Sequence, residues 1–522
     1  MNQEPYLLGI DIGGTGAKVG VFTLDGAPLG TGYGEYRMIS NVPGQAEHDA
    51  ESWWEATVAA IRDAVRDIDS SRILAVGVGC TNGLIAVDRR GRPLRSAIML
   101  WDQRALPEVD RIRQVLDADH VFSISGNPVA PGAYSLPTIL WLKNDDPETF
   151  AAAHKLMVPG GYIVARLTGE FTIDYSRACT TLLFDIQKMQ WHEPFLEALE
   201  IPPEKLPAPM ASHEIAGRVT AETAQLTGLK AGTPVLAGCM DTLGASIGSG
   251  VMEPGQCFVI MGTAARVSSP LGSPKFDRRF MNCTHALPNR WLSIGAINGV
   301  GSSLRWIRDT FGQPEQTVAG FTGRDVYDIL TDEAVYSPPG SKGLVFLPYI
   351  SGERTPIWNP YARGVMFGLT LGHNRSDFMR SILEGAAFAI RHVIQILETD
   401  GGMKIQKIRI GGAAATNAVW NQIIADVLGK TVVNLKEIHT EVLGAAVLAG
   451  VSMGAYPDYG AALSRVVEVE REFIPDQKAH AAYDQLFPIY KELYPDVKPY
   501  FERLAKLDLP KVWVRKGSIY EG

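Results

Sequence analysis

The sequence predicts an α/β protein with more than one domain, and three observations support this fold class. The chain has 522 residues, and at roughly 100–200 residues per domain this length corresponds to two to four domains. Short apolar runs that end at glycines alternate with helical patterns, as in sheets covered by helices. A unit of strand, glycine turn and strand occurs at residues 6–24 and again after Pro234, which indicates two related halves.

The first part of the chain opens with three predicted strands. Residues 6–12 form an apolar run that ends at Gly13 and Gly14, residues 18–24 form a second run, and the turn at 25–26 leads to a third strand at 27–30. A dinucleotide loop or a Walker A loop needs a helix after its glycines. The Gly13-Gly14 turn is therefore predicted to bind an anion as a β-hairpin turn.

A helix and a buried strand follow. Asp49 is predicted to cap a helix whose apolar side chains recur at helical spacing, namely Trp54, Val58, Ile61 and Val65. Residues 73–79 form a buried strand of the parallel type, and residues 84–87 form the next strand. Thr81 and Asn82 lie at the end of the buried strand, where ligands gather in open α/β sheets.

The second part repeats the alternation of strands and glycine turns. We expect a strand at 235–238, a loop that carries Asp241, a strand at 257–261, the Gly262-Thr263 turn and a strand at 266–268. A strand at 408–410 leads into Gly411, Gly412 and Ala413. The predicted helices are one capped by Ser376 with Met379, Ile382, Leu383, Ala386 and Ile390 on one face, one capped by Thr416 or Asn417 that ends at Gly429, and a closely packed helix of small residues at 440–449.

Composition excludes several classes of protein. The chain is 46% hydrophobic and 20% charged, with a formal charge of −8 and no long basic run, so neither nucleic acid nor an anionic membrane is an expected partner. The five cysteines are widely spaced, which predicts reduced, mostly buried thiols. His48, His285 and His373 have no partner spacing for a metal and are interpreted as structural. We expect a cytoplasmic protein.

The chemistry is concentrated in two glycine turns and one carboxylate. The Gly13-Gly14-Thr15 and Gly262-Thr263 turns offer converging backbone N–H groups and a hydroxyl to an anion. Asp241 lies among small residues, which leave room for a ligand. The set predicts a phosphate site on one side and a base on the other. The alternative is that Asp241 caps a helix and the glycines only form turns.

These residues resemble the FGGY carbohydrate kinases, which are members of the actin-like sugar-kinase superfamily. The resemblance spans about residues 6–485 and rests on motifs in the family's order. These are Asp11-x-Gly-Gly-Thr15-x-x-Lys18, Gly238-x-x-Asp241 with Gly262-Thr263, 364–369 with 377–385, and 410–413 with 420–426. Residues 349–356 are similar to a segment common in xylulose-kinase-like members.

The resemblance implies two ribonuclease-H-like (actin-like ATPase) domains with a catalytic cleft between them. The expected boundaries are an N-terminal domain at 1–243 with the sugar site and the first phosphate motif, an ATP-binding domain at 244–485 and a helical tail at 486–522. The expected partners are ATP and a small sugar or polyol, and the resemblance is compatible with a homodimer.

The resemblance also assigns roles to residues. Asp241 is the expected general base, and Asp11 is the expected residue that holds Mg²⁺, through a water molecule. The ATP-binding set is Gly13, Gly14, Thr15, Lys18, Gly262, Thr263, Gly301, Gly412, Ala413 and Thr416.

The substrate-facing positions differ from the familiar members of the family. The expected sugar contacts are Thr81, Asn82, Trp101, Asp102, Asp241 and Thr242. The alternative for Asn82 is a turn residue before Gly83, and the alternative for Trp101 and Asp102 is a surface turn. Small polar side chains at these positions fit a polyol without identifying it.

Three functions remain open from the sequence. The first is an ATP-dependent kinase for a ketopentose such as xylulose or for another ketose or polyol, such as glycerol, ribulose or erythritol. The second is a catalytically weak sugar-binding regulator on the same fold, which the intact Asp11 and Asp241 disfavour. The third is a nicotinamide dehydrogenase, which the strand after Gly14 disfavours.

Overall fold

The computed structural model describes residues 4–42, 44–130 and 133–507. The segment 511–522, for which the sequence suggests no role, lies outside the described residues. Two seven-stranded sheets form the centres of the two halves, and helices cover them.

The first sheet is built mainly from the N-terminal part of the chain. Its strands lie in the spatial order Ile215–Arg218, Pro234–Leu236, Ile73–Cys80, Tyr6–Ile12, Gly16–Phe22 and Pro28–Glu35, with Cys239–Met240 also beside Ile73–Cys80. The predicted hairpin and the predicted parallel strand are confirmed, since Tyr6–Ile12 pairs antiparallel with Gly16–Phe22 and parallel with Ile73–Cys80. The strand Pro234–Leu236 belongs to this sheet, so the second half does not start near Pro234, where the repeated unit placed it. The expected domain boundary at residue 243 leaves this strand in the first half.

The second sheet begins at Cys257. Its strands lie in the order Met281–Thr284, Trp291–Ile297, Ala265–Leu271, Cys257–Met261, Lys407–Gly411, Thr431–Leu435 and Val469–Phe473. As in the first sheet, an antiparallel hairpin with a glycine turn, Cys257–Met261 with Ala265–Leu271, lies beside a parallel strand, Lys407–Gly411. This match confirms the internal structural repeat.

The described residues also form four smaller sheets. A five-stranded sheet contains Met38–Ile39, Glu47–His48, Ala97–Met99, Gly83–Val87 and Lys155–Met157. Three strand pairs are Thr172–Asp174 with Ala208–Met210, Phe184–Asp185 with Gln190–Trp191, and Val345–Leu347 with Val365–Phe367.

The helices divide between the two halves. Those up to residue 248 are Ala50–Val65, Leu106–Val115, Ala118–Ser125, Ser135–Asp145, Pro147–Ala152, Pro159–Thr168, Tyr175–Ala178, Glu193–Ala198, Ala221–Thr227 and Asp241–Gly248. The later ones are Gly301–Phe311, Gln313–Thr322, Val326–Asp332, Arg375–Thr399, Ala418–Leu428, Thr440–Ser452, Tyr459–Val466 and Gln477–Ala505.

The helix caps follow the sequence with two exceptions. Asp49 and Asn417 cap their helices and Gly429 ends one, as predicted. Ser376 is not a cap, because the helix starts at Arg375 and Asn374 forms a capping box with Asp377. Asp241 does not lie in a loop, because it is the first residue of a helix.

The helix Thr440–Ser452 joins the two halves. It comes from the C-terminal part of the chain but packs on the first sheet and on the helix Asp241–Gly248. A Cβ atom added at Gly9 would lie 2.1 Å from the Val442 carbonyl oxygen, and one added at Gly77 would lie 2.0 Å from that of Ala445. The close packing predicted for this small-residue helix is confirmed.

The last described helix is part of the second half. The suggested boundary between residues 485 and 486 falls inside Gln477–Ala505, and Tyr483, Phe487 and Tyr490 are buried in the core around the second sheet. We therefore expect a C-terminal domain that continues at least to residue 505. In the part of the chain that the structure describes, no helix combines the length and apolar character needed to cross a membrane.

Candidate active site

Three adjacent strands of the first sheet end at the same level. Ile12 pairs with Cys80, and Met240 also pairs with Cys80, so the residues that follow all emerge at one edge. Thr81 donates its backbone N–H to the Ile12 carbonyl oxygen at 2.8 Å. This register brings the first glycine turn, the Thr81-Asn82 segment and Asp241 together, although they are far apart in the sequence.

Asp11 is a buried carboxylate at this edge. Its side chain is 4% exposed, and Oδ1 has no hydrogen-bond partner among the described residues. The Lys18 ammonium lies 3.7 Å from the other oxygen of Asp11 and 2.5 Å from Glu441 Oε1. Burial and the negative charge of Glu441 raise the pKa of Asp11 to about 7. The site therefore favours an additional cation next to Asp11.

Asp241 is held from two sides by guanidinium groups. Arg177 Nη2 lies 3.1 Å from Oδ1, and Arg266 Nη1 lies 3.2 Å from Oδ2. The Thr242 backbone N–H and hydroxyl also donate to Oδ1, at 2.7 and 3.1 Å. Burial alone raises the pKa of Asp241, but the charges of Arg266 and Arg177 and the Thr242 hydrogen bonds outweigh it and hold the pKa below its usual value. The carboxylate is therefore ionised at neutral pH.

The remaining expected sugar contacts lie beside this edge. Asn82 is buried, its amide nitrogen donates to the Ala133 carbonyl oxygen at 3.0 Å, and its Oδ1 has no partner among the described residues. Asp102 is buried as well, and its oxygens accept from the Ala46 N–H at 2.6 Å and from Arg104. Trp101 packs close to Gly14, 3.1 Å from the position of an added Cβ. Asp102 is therefore not part of an exposed turn, and its oxygens already have partners. Trp101 does lie in a turn and is 39% exposed, so the alternative of a surface turn holds for that residue.

The second sheet presents a similar edge. Ile260 pairs with Gly411, so Gly262 and Gly412 emerge together. A Cβ added at Gly301 would lie 2.1 Å from the Gly262 carbonyl oxygen, and one added at Gly412, where φ is +87°, would lie 2.6 Å from that of Met261. Only glycine allows these close approaches of backbone to backbone. The second phosphate turn and two of the predicted nucleotide residues are therefore adjacent.

The other predicted nucleotide residues continue from this edge. Ala413 and Thr416 lie in the short 3-10 helix Ala413–Thr416, and both are exposed. The next residue, Asn417, donates to Asp328 Oδ1 at 2.7 Å and so joins this turn to the helix Val326–Asp332. Thr263 is exposed and accepts a hydrogen bond from Arg305 at 3.2 Å.

A further arginine, Arg354, lies close enough to Arg266 to be affected by its charge. Arg354 donates its Nε–H to Asn298 at 2.8 Å, and its two Nη groups make no hydrogen bond with the described residues. Burial, together with the positive charge of Arg266, lowers the pKa of Arg354 to about 10.

The sequence analysis missed several of these charged residues. Arg177 and Asp241 are 64 positions apart in the sequence, and Lys18 and Glu441 are 423 positions apart. No local motif therefore indicates either pair. Arg266 follows the second glycine turn on a strand, which is the one signal that the sequence offered. The three histidines interpreted as structural make no metal cluster, and within the described ranges no three His, Cys, Asp or Glu side chains are arranged to hold a metal.

Comparisons with known proteins agree with this arrangement. The model of the FGGY family of carbohydrate kinases, N-terminal domain, matches residues 6–248, and the model of the C-terminal domain matches residues 255–453. The chain belongs to the FGGY family of carbohydrate kinases. It is a sugar kinase, and ATP is the phosphoryl donor that membership of the family implies.

Individual relatives cover nearly the whole chain. Gluconokinase from Bacillus subtilis (strain 168) is 29% identical over 490 residues, which is 94% of this chain and 95% of the relative. Xylulose kinase from Escherichia coli (strain K12) is 30% identical over 501 residues, or 94% and 99% of the two chains. The crystal structure of ligand-bound xylulose kinase from Lactobacillus acidophilus matches with a TM-score of 0.88 at 26% identity, covering 96% of this chain and 100% of that one. The predicted two-domain α/β fold of the actin-like class is confirmed.

Proposed function

We propose that this sugar kinase phosphorylates a hydroxyl of a ketopentose such as xylulose, with Asp241 as the general base. The observation that carries the proposal is the placement of Asp241, an ionised and 14% exposed carboxylate at the shared strand edge beside the first glycine turn. The xylulose kinases among the relatives and the similarity of residues 349–356 to xylulose-kinase-like members support this acceptor.

The chemistry assigned to Asp241 is proton removal from the acceptor hydroxyl. Its Oδ2 contacts Arg266 alone among the described residues, so this is the oxygen that can accept a hydrogen bond from the sugar. As the hydroxyl oxygen attacks the γ-phosphorus of ATP, its proton passes to Asp241 and ADP leaves. A general base of this kind contributes about 10²–10⁴ in rate. Arg266 is placed to balance negative charge at the same point.

The nucleotide is assigned to the cleft between the two strand edges. The backbone of the two glycine turns supplies N–H donors to the phosphates, and the residues beside the second sheet bind the nucleoside end. The proposed ATP-binding set is the one expected from the sequence, Gly13, Gly14, Thr15, Lys18, Gly262, Thr263, Gly301, Gly412, Ala413 and Thr416.

Asp11 is the residue assigned to Mg²⁺. Its buried Oδ1 has no hydrogen-bond partner among the described residues, and its raised pKa fits a buried carboxyl group that a bound cation would stabilise in the ionised form. Magnesium in kinases usually keeps several waters and takes one or two carboxylates together with substrate phosphates, so a single protein ligand suffices. When bound, the ion neutralises charge on the phosphates.

The sugar is assigned to the edge that carries Thr81, Asn82 and Thr242, with Trp101 and Asp102 beside it. The unpartnered Oδ1 of buried Asn82 is the group in this set most in need of a hydrogen-bond donor. Asp102 contributes by holding Arg104 and the Ala46 backbone in place.

A sugar acid is the second candidate acceptor. The observation that favours it is Arg354, whose two Nη groups make no hydrogen bond with the described residues and fit a carboxylate. The gluconokinase relative is consistent with an acceptor of this class.

A panel of acceptors tests both candidates. ADP release is measured with Mg-ATP and D-xylulose, D-ribulose, glycerol, erythritol or D-gluconate, and the product is identified by mass. We expect the highest kcat/KM with D-xylulose. A preference for gluconate that Arg354→Met removes, with xylulose turnover unchanged, would establish the sugar acid instead. Absence of a phosphorylated product with every acceptor would favour the sugar-binding regulator.

A further inference from the structure

A short turn in the N-terminal half is tied to the segment that precedes Asp241. Asp174 is buried and caps the helix Tyr175–Ala178 by accepting from the Arg177 N–H at 3.0 Å. The Ser176 hydroxyl donates to Asp174 and accepts from the Met240 N–H at 2.8 Å. The turn therefore fixes the backbone immediately before Asp241.

The side chain of Arg177 fixes the carboxylate itself. It is 4% exposed and its Nη2 donates both to Asp241 Oδ1 and to the Cys80 carbonyl oxygen at the end of the central strand. The hydrogen bonds from Thr242 also go to Oδ1. Arg266, which is 34% exposed, is the group at Oδ2. The bonds from Arg177 and Thr242 therefore all end on Oδ1, and Oδ2 contacts only Arg266 among the described residues.

We propose that Arg177 is a positioning residue for phosphoryl transfer, which orients Asp241 so that Oδ2 meets the acceptor hydroxyl. The inference rests on the proposed role of Asp241 as the base. Both acceptors of Arg177 Nη2, Asp241 Oδ1 and the Cys80 carbonyl oxygen, are groups of the protein, so its effect passes through the carboxylate. Its guanidinium can bond two acceptors at once, which a lysine ammonium on a flexible stem does less well.

The test compares Arg177→Met and Arg177→Lys with wild type, using the fastest acceptor of the panel above. We expect Arg177→Met to lower kcat about 10- to 100-fold, because misplacing a reacting group by about 1 Å has an effect of this size. The KM values for ATP and sugar should stay within about threefold, and Arg177→Lys should recover part of kcat. Rates are corrected for the folded fraction, measured by circular dichroism.

Arg166→Met is the matched control. Arg166 lies in the same half, is 18% exposed and pairs with Glu51, away from the strand edge. Its replacement removes a partly buried arginine that has no contact with Asp241. We therefore expect kcat to stay within about twofold of wild type.

A double variant separates positioning from a general structural role. If Arg177 acts through Asp241, Arg177→Met combined with Asp241→Asn should be no slower than Asp241→Asn alone. Multiplied losses, or a folded Arg177→Met enzyme with wild-type kcat, would overturn the inference. If Arg177→Met does not fold, Arg177→Lys decides, and an unchanged kcat there overturns it as well. Normal turnover by Asp241→Asn would instead overturn the proposed function.

Discussion

Replacing Gly444 by alanine tests the contact that holds the helix of Asp241 in place. Gly444 lies on Thr440–Ser452, and an added Cβ would be 1.8 Å from the Gly244 carbonyl oxygen and 2.8 Å from the Gly248 nitrogen. Since ordinary contact begins near 3.4 Å, the two helix backbones must separate by about 1.6 Å. Neither neighbour is a side chain that could rotate away.

The magnitude follows from two opposing effects. Overpacking of a core typically costs about 1–3 kcal/mol, and a backbone-to-backbone clash belongs at the upper end. Alanine is favoured over glycine in a helix by about 1 kcal/mol. We therefore expect Gly444→Ala to lower the free energy of unfolding by about 2 kcal/mol. Because the displaced helix begins at Asp241, we also expect kcat to fall by up to about 10²-fold.

Urea denaturation and steady-state kinetics measure the two effects. Gly320→Ala is the control, because Gly320 also lies in a helix and an added Cβ there meets no described atom within 4 Å. The control should gain up to about 1 kcal/mol in stability with unchanged kcat. If Gly444→Ala behaves like Gly320→Ala, the close helix contact does not position Asp241.

Three further predictions concern the metal, the sugar and pH. Asp11→Asn should stay folded but need far more Mg²⁺ for residual activity, and an unchanged Mg²⁺ titration would remove Asp11 from the metal site. Asn82→Ala should alter the ranking of sugars more than the KM for ATP, and the reverse result would place Asn82 elsewhere. His48 is buried, and burial lowers its pKa to about 4, so between about pH 6.5 and 4 the unfolded chain binds a proton that the folded protein excludes. The free energy of unfolding should therefore decrease as the pH is lowered through this window. His48→Gln should reduce the slope of the free energy of unfolding against pH by up to about 1.4 kcal/mol per pH unit, which urea midpoints at several pH values would show.

Local patterns predicted much of the fold. The hairpin around Gly13 and Gly14, the buried strand before Thr81 and the cap at Asp49 depend on neighbours in the sequence, and the structure contains all three. The capping box at Asn374 was misassigned to Ser376 because both are good cap residues within two positions of each other. The repeated unit of strand, turn and strand placed Pro234–Leu236 in the second half, although the expected domain boundary at residue 243 did not. Strand pairing across long separations leaves no local signal that would have corrected it.

The residues of the candidate site also fall into two groups, those that local motifs identify and those that only the fold brings together. Glycine turns and the carboxylates Asp11 and Asp241 stand in recognisable motifs, so the sequence identified them as candidates. Arg177 and Glu441 contact these groups only through the fold, and their spacing in the chain carries no information about those contacts. Motifs therefore indicated the class of reaction, whereas the acceptor depends on contacts between distant residues and stayed open.

The most direct test of the account is the turnover of Asp241→Asn. The amide keeps the size of the side chain but cannot take a proton at neutral pH. We expect kcat to fall by about 10²-fold or more while sugar affinity, measured by thermal shift or calorimetry, stays within a few-fold of wild type. Asparagine serves at a helix start about as well as aspartate, so a merely structural Asp241 predicts no such loss. A folded Asp241→Asn protein with near-normal kcat would contradict the assignment of Asp241 as the base.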